Sequence, residues 1–189
     1  MGSALIVSSG EKGAAYFLEV LHMAGIGQVV SVKTGGEARR LFIENDYDIC
    51  IINAPLTDEN GEGLAKNIAA KGVCGVILCV KNEIYDGVSA AVEDYGVITV
   101  AKPVSRALFW NALKITISAH KRMQLMQNEN RRLVQQIEDI RRVDRAKCLL
   151  ISYLSMSETE AHRYIEKQAM DQRLTKREVA ERILKTYEN

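Results

Sequence analysis

Five short β-rich runs, ALIVSS (4–9), QVVSVK (28–33), DICIIN (48–53), GVILCV (75–80) and VITVAK (97–102), recur with segments of helical period between them. Those segments cover 13–24, 35–44, 61–70 and 86–95, and a further one begins at Ser105. Regular alternation of strand and helix leaves few folds open, because each helical crossover returns the chain parallel to the strand before it. The pattern predicts an α/β domain with a doubly wound five-stranded parallel sheet. In such sheets, sites lie outside the carboxyl ends of the strands. The third run carries Ile49, Cys50, Ile51 and Ile52 straight into Asn53, so a buried strand ends in an amide at that edge.

A chain of 189 residues with 47% hydrophobic content buries a full core and leaves room for a second, smaller module. The net charge of +1 hides an asymmetry. Residues 1–112 carry 9 Lys/Arg against 13 Asp/Glu, or −4, and residues 113–189 carry 16 against 11, or +5. Most of the excess lies in 113–143, with 7 against 3, whereas 144–189 is nearly balanced at 9 against 8. Charge therefore permits a nucleic-acid partner without demanding one. Cysteines 50, 74, 79 and 148 form no C-x-x-C pair, and the first three sit in apolar strand-like runs, which predicts reduced thiols in a cytoplasmic protein. The opening MGSALIVSSG has no basic region and a four-residue apolar run, predicting neither signal peptide nor membrane span. Ile6 breaks the myristoylation pattern.

Ser8 and Ser9 after the first strand, Asn53 after the third, Val80 after the fourth and Lys102 after the fifth meet at the carboxyl edge. With Pro103 following Lys102 and a turn glycine, Gly61, eight residues beyond Asn53, residues 1–120 resemble a response-regulator receiver domain. The resemblance implies an acidic pair for Mg²⁺ at positions 8 and 9, a phospho-acceptor Asp at 53, a hydroxyl at 80 and a lysine at 102. Of these only Lys102 matches. An acyl phosphate needs a nucleophilic carboxylate and Mg²⁺ needs hard, preferably anionic oxygens, so the pocket is degenerate and phosphorylation is not expected. Glu11 and Asp58 are near in sequence but at no matching position. Read from its own chemistry, Asn53 is a structural group that satisfies loop backbone, with Lys102 as a hydrogen-bond partner.

From Ala107 to Leu154 there is no Pro or Gly, so the last receiver helix runs on as one long element. Placing Thr116, Met123, Asn130, Ile137 and Asp144 at heptad position a puts Ala119, Met126, Leu133, Ile140 and Lys147 at d. The seam is mostly apolar from 123 to 140, with Asn130 as the kind of polar a residue that sets register in a two-stranded coil. This predicts a coiled-coil linker over 113–143 and a homodimer through Met123, Met126, Asn130, Leu133, Ile137 and Ile140. The competing reading packs that stripe on the chain's own receiver domain.

SETE (157–160) and TKRE (175–178) both fit a capping box, so helices start near Ser157 and Thr175. Ala161, Ile165, Ala169 and Met170 share one face of the first, and Val179, Ala180, Ile183 and Leu184 one face of the second. With 146–154 they predict a small three-helix bundle. The order Ala146, Lys147, Leu150, then SETEA, then Ile165, Ala169, Met170, then Val179, Ala180, Ile183 resembles the ANTAR domain, placed at 141–189. That domain is the RNA-binding module of AmiR/NasR-type transcription antiterminators. The resemblance implies a dimer that binds paired stem-loops in a nascent leader RNA and prevents a terminator hairpin from forming. Candidate RNA contacts are Lys147, Arg163, Lys167, Arg173, Lys176 and Arg177, with Thr175 at a helix N-terminus and Tyr164 as a stacking group. With the phosphoryl input lost, the protein is expected to be either constitutively active or held by a regulatory protein partner that masks the dimer. The alternative is a protein-interaction module with no direct RNA binding. Histidines 22, 120 and 162 are scattered and no nucleophile stands at useful spacing from a base, so no enzyme, cofactor or metal is expected.

Overall fold

The computed structural model describes residues 2–72 and 74–187. Strands β1 (Ser3–Ser8), β2 (Gln28–Val32), β3 (Ile49–Asn53), β4 (Gly75–Lys81) and β5 (Ile98–Lys102) form one parallel sheet in the order β2-β1-β3-β4-β5. The helices are α1 (Glu11–Met23), α2 (Gly35–Glu44), α3 (Glu62–Ala70), α4 (Tyr85–Val92), α5 (Arg106–Leu154), α6 (Glu158–Gln172) and α7 (Lys176–Tyr187). The expected helical segment 86–95 splits: α4 stops at Val92, and residues 93–95 tighten into a 3-10 turn closed by Gly96 at φ 72°. That left-handed conformation suits a residue without Cβ. The chain divides into two compact units, Met1–Leu125 and Met126–Asn189. Residues 1, 188 and 189 of the expected domain boundaries lie outside the described residues.

In the first unit, period-two alternation sends successive strand residues into two separate layers. Leu5, Val7, Cys50, Ile52, Val76, Leu78 and Val80 pack with Ala38 of α2, with Leu64, Ala65 and Ile68 of α3 and with Val92 of α4. Ala4, Ile6, Ile49, Ile51, Ile77, Cys79 and Val100 pack with Phe17, Val20 and Leu21 of α1 and with Phe109 and Leu113 of α5. The rings of Tyr16, Phe17 and Phe109 meet with centroids 4.9–6.1 Å apart and tie α1 to α5. Burial pushes the Cys79 thiol up to about 12 and those of Cys50 and Cys74 up as well, so these three are poor nucleophiles. Cys74 lies just before β4 and not inside a strand as expected, and Cys148 is exposed on α5.

The amino-terminal edge of the sheet holds the receiver part of α5. Thr116, expected at the first a position of the coil, is 4% exposed and lies against Gly75, where a Cβ would sit 2.4 Å from its Cγ2. Thr116 is thus part of the receiver interior, and the coil seam cannot begin there. A turn further on, the Asp48 carboxylate accepts from His120 Nε2 at 3.0 Å and Gln124 Nε2 at 3.2 Å. Its other oxygen accepts from the Ser3 N–H at 2.7 Å and Ser3 Oγ at 3.2 Å. Burial pushes the Asp48 carboxyl up, but the bonds from Ser3 and His120 outweigh it, and the group titrates below the ordinary carboxylate value.

In the second unit, Ala146 and Leu150 of α5 pack with Ala161, Ile165 and Ala169 of α6 and with Val179, Ala180 and Ile183 of α7. Leu184 lies against this cluster, half-buried. Met170, expected on the buried face of α6, is instead 78% exposed. Its neighbour Ala169 already fills the contact, and the next position along a helix turns about 100° away. Ser157 caps α6 as expected, accepting from Glu160 N–H while Glu160 reaches back to the Ser157 N–H. Thr175 and Glu178 do the same for α7, with Thr175 N–H to Glu178 Oε2 at 2.7 Å and Glu178 N–H to Thr175 Oγ1 at 3.2 Å.

Replacing Asp48 by Ala removes a charged acceptor from four donors at once and is expected to lower the unfolding free energy by about 2–3 kcal/mol in urea titration at neutral pH. Because the folded pKa is depressed, this contribution is complete above the unfolded carboxylate pKa and is lost as pH falls through the folded value. Wild type and variant should therefore converge in stability in acid.

Candidate functional site

At the carboxyl edge, parallel register sets Ser8 beside Asn53 and Asn53 beside Cys79. Asn53 Nδ2 donates to Ser8 Oγ at 2.9 Å, and the Ser8 hydroxyl donates to the Gly10 carbonyl at 3.1 Å. The amide is therefore satisfied by a side chain and not by loop backbone as expected. Lys102 Nζ donates to the Ala54 carbonyl and not to Asn53. Burial lowers the Lys102 pKa. Ser9 Oγ donates to the Pro55 carbonyl at 3.3 Å. Val80 is buried in the opposite layer with Leu78 and Val76 and is not brought to the amide. Gly13 of α1 closes the edge: a Cβ there would lie 2.5 Å from Asn53 Nδ2 and 3.1 Å from Ser8 Oγ.

The nearby carboxylates are engaged elsewhere. Glu11 is exposed and pairs with Lys33 at 3.7 Å. Asp58 accepts from the Gly35 N–H at 2.9 Å and the Gly36 N–H at 3.0 Å, placing an anion on the N-terminus of α2. Those backbone bonds hold its pKa below the ordinary value. Arg39 grips Glu59 bidentately, with Nη2 to Oε2 at 2.9 Å, and the Glu59 carboxylate occupies the space a Cβ on Gly35 would need. The loop after β3 is thereby tied to α2, an arrangement that sequence spacing did not reveal. Among the described residues no group of three or more His, Cys, Asp or Glu is placed to hold a metal ion.

In the second unit the candidate RNA contacts divide between two faces. On one, Lys147 Nζ pairs with Asp144 at 2.8 Å and Glu158 at 3.7 Å. Lys176 pairs with Glu166 at 2.6 Å, and His162 approaches the same carboxylate at 3.2 Å. Arg177 pairs with Glu181 at 2.9 Å and Asp139 at 3.2 Å. Lys147, Lys176, Arg177, His162, Asp139 and Asp144 line a hollow of about 420 Å³ with Ile140, Val143 and Thr175. The other face carries Arg163, Tyr164 and Lys167, which with Leu154, Ser155, Met156 and Glu160 line a second groove, also of about 420 Å³. Arg173 ends α6 in the left-handed region at φ 54°. The side chains of Arg163, Lys167 and Arg173 make no hydrogen bond or ion pair among the described residues.

Between the two units' cores, α5 carries a stripe of exposed apolar groups. Met123, Met126, Leu133, Ile137 and Ile140 are 48–66% exposed and Asn130 is exposed with them. Leu125 and Val134, off the expected seam, are exposed as well at 69% and 50%.

Comparison with known proteins places both halves. The first unit has the receiver fold: a receiver domain of a signal transduction histidine kinase from Syntrophus aciditrophicus superposes with a TM-score of 0.56 at 21% identity. That match covers 65% of this chain and 94% of the other. A two-component transcriptional regulator, AraC, from Clostridium phytofermentans gives 0.59 at 18% identity, covering 66% and 98%. Residues 131–184 match the ANTAR domain. The chain thus joins a receiver fold to a C-terminal ANTAR domain. It is similar over both parts to the transcriptional regulatory protein PdtaR of Mycobacterium tuberculosis, 27% identical over 168 residues that span 89% of this chain and 82% of the relative. No helix among the described residues is long and apolar enough to cross a membrane.

One glycine substitution tests the closed edge at Asn53, and a second, away from it, serves as the control. Gly13→Ala is expected to cost about 1–3 kcal/mol in thermal or urea unfolding, because Asn53 must leave Ser8 to admit the methyl group. Gly87→Ala, in α4 with nothing within 4 Å of the added carbon, is expected to gain about 0.5–1 kcal/mol.

Proposed function

We propose that this protein is an RNA-binding transcription antiterminator whose receiver domain works without phosphorylation. Its dimer binds tandem stem-loops in a nascent leader RNA and thereby keeps a terminator hairpin from forming. The observation that carries this reading is the ANTAR match on a bundle whose α6 presents Arg163, Lys167 and Arg173 with no internal counter-ion. Uncompensated cations are what a phosphate backbone requires. The Asn53–Ser8 bond supports the second part, since a neutral amide held by a hydroxyl is no nucleophile for phosphoryl transfer. The apolar stripe of α5 at heptad spacing supports a dimer through 123–140. Two bundles on one dimer raise the affinity for two linked stem-loops through effective concentration alone. With no acceptor carboxylate, the signal is assigned to a protein partner, and the role is regulatory and cytoplasmic without catalysis.

A protein-interaction module without RNA binding is the competing reading, and the paired cations Lys147, Lys176 and Arg177 favour it. A mobility-shift titration with two-stem-loop, one-stem-loop and duplex DNA probes separates them. The expected result is preferential binding of the two-stem-loop RNA, weakening steeply with salt. Acetyl phosphate with Mg²⁺ should change neither protein mass nor affinity. Leu133→Asp should dissociate the dimer in sedimentation and weaken two-stem-loop binding by a factor of about ten or more. Salt-insensitive or absent RNA binding, with the dimer intact, would leave the interaction module.

A further inference from the structure

We propose that the groove beside the α5–α6 turn seats one unpaired nucleotide of the bound RNA, with the base against Tyr164, Leu154 and Met156 and its phosphate between Arg163 and Lys167. This rests on the RNA-binding reading and names which face of the bundle reads the RNA. The two faces differ in charge balance. Lys147, Lys176 and Arg177 each lie within about 3 Å of a carboxylate, so a phosphate arriving there must displace an existing anion and meets the charges of Asp139, Asp144 and Glu166. Arg163 and Lys167 keep no such partner, and their helical spacing of four puts them on one side of α6.

The apolar half of the groove is equally specific. Tyr164 is 38% exposed and Leu154 46%, an aromatic ring and an aliphatic group open to solvent directly beside two free cations. Apolar and π surface bounded by positive charge is the chemistry that holds a splayed-out base and its phosphate, and is absent from a duplex-binding surface that meets only backbone. The one carboxylate lining the groove, Glu160, is drawn to the Ser157 N–H at 2.8 Å and Ser157 Oγ at 2.7 Å. Its bonds to Ser157 lower its pKa and keep it ionised, so a phosphate is directed away from it toward Arg163 and Lys167. The volume of about 420 Å³ accommodates a single nucleoside and not a helix.

The test uses the full-length protein and a pool of two-stem-loop RNAs with randomised loops, taking the tightest binder forward. Tyr164→Ala is expected to weaken binding about tenfold, whereas Tyr164→Phe keeps the ring and stays near wild type. The double variant Arg163→Ala, Lys167→Ala, which alters only exposed groups, should flatten the log affinity against log salt slope by about 1.4, two single-strand phosphate contacts at about 0.7 each. Ultraviolet cross-linking should place a loop nucleotide on the α6 peptide that contains Tyr164. If these variants bind like wild type while Lys176→Ala and Arg177→Ala lose affinity, the groove is rejected and the RNA reading stands. If wild type retains no RNA from the pool at micromolar concentration, the RNA reading falls and the groove proposal with it.

Discussion

Helix α5 takes part in two hydrophobic cores, and the rest of the architecture follows from that. Phe109 and Leu113 are buried against the sheet, and Ala146 and Leu150 are buried against α6 and α7, on one uninterrupted helix. A helix continues as long as no residue breaks it, and the run from Ala107 to Leu154 holds no Pro or Gly. Between its two anchored ends the helix has no core of its own to face. The apolar side chains of that middle stretch are accordingly open to solvent, which is the state a partner helix would relieve.

The receiver-fold half closes the carboxyl edge of its sheet with hydrogen bonds among Asn53, Ser8 and backbone carbonyls. There the Asn53 amide donates to one hydroxyl, with Gly13 packed against it. Lys102 donates to the Ala54 carbonyl. Charged contacts of this unit lie elsewhere: Asp58 and Glu59 bind groups of α2, and Asp48 binds groups of α5. These carboxylate contacts hold loop and helix in place.

Local signals were read well because their physics is local. The Ser157 and Thr175 capping boxes need only four adjacent residues, and both form as the spacing predicts. Buried strands such as 49–53 announce themselves by unbroken apolar runs. Thr116 misled because a helix packing on its own sheet and a helix packing on a second helix share nearly the same period; only Gly75, distant in sequence, decides between them. Met170 misled by a single helical step. The partner of Lys102 depends on ångström distances between loops, which no pattern of residues encodes directly, whereas the Lys147–Asp144 pair is an i,i+3 contact on one helix.

Alternating strand and helix runs, an Asn at the end of the third strand, and a motif order matching the ANTAR domain are properties of the chain alone. They determined the sheet, a neutral amide at its carboxyl edge and the helical tail, because propensity, periodicity and functional-group chemistry act within a few residues. Tertiary structure decided which cations are neutralised by neighbours and which remain open. It set Lys176 on Glu166 and Arg177 on Asp139, and left Arg163 and Lys167 beside Tyr164 without a counter-ion. The physical reason is that an ion pair is a matter of a few ångströms between groups ten to nearly forty residues apart, fixed only once α5, α6 and α7 have packed.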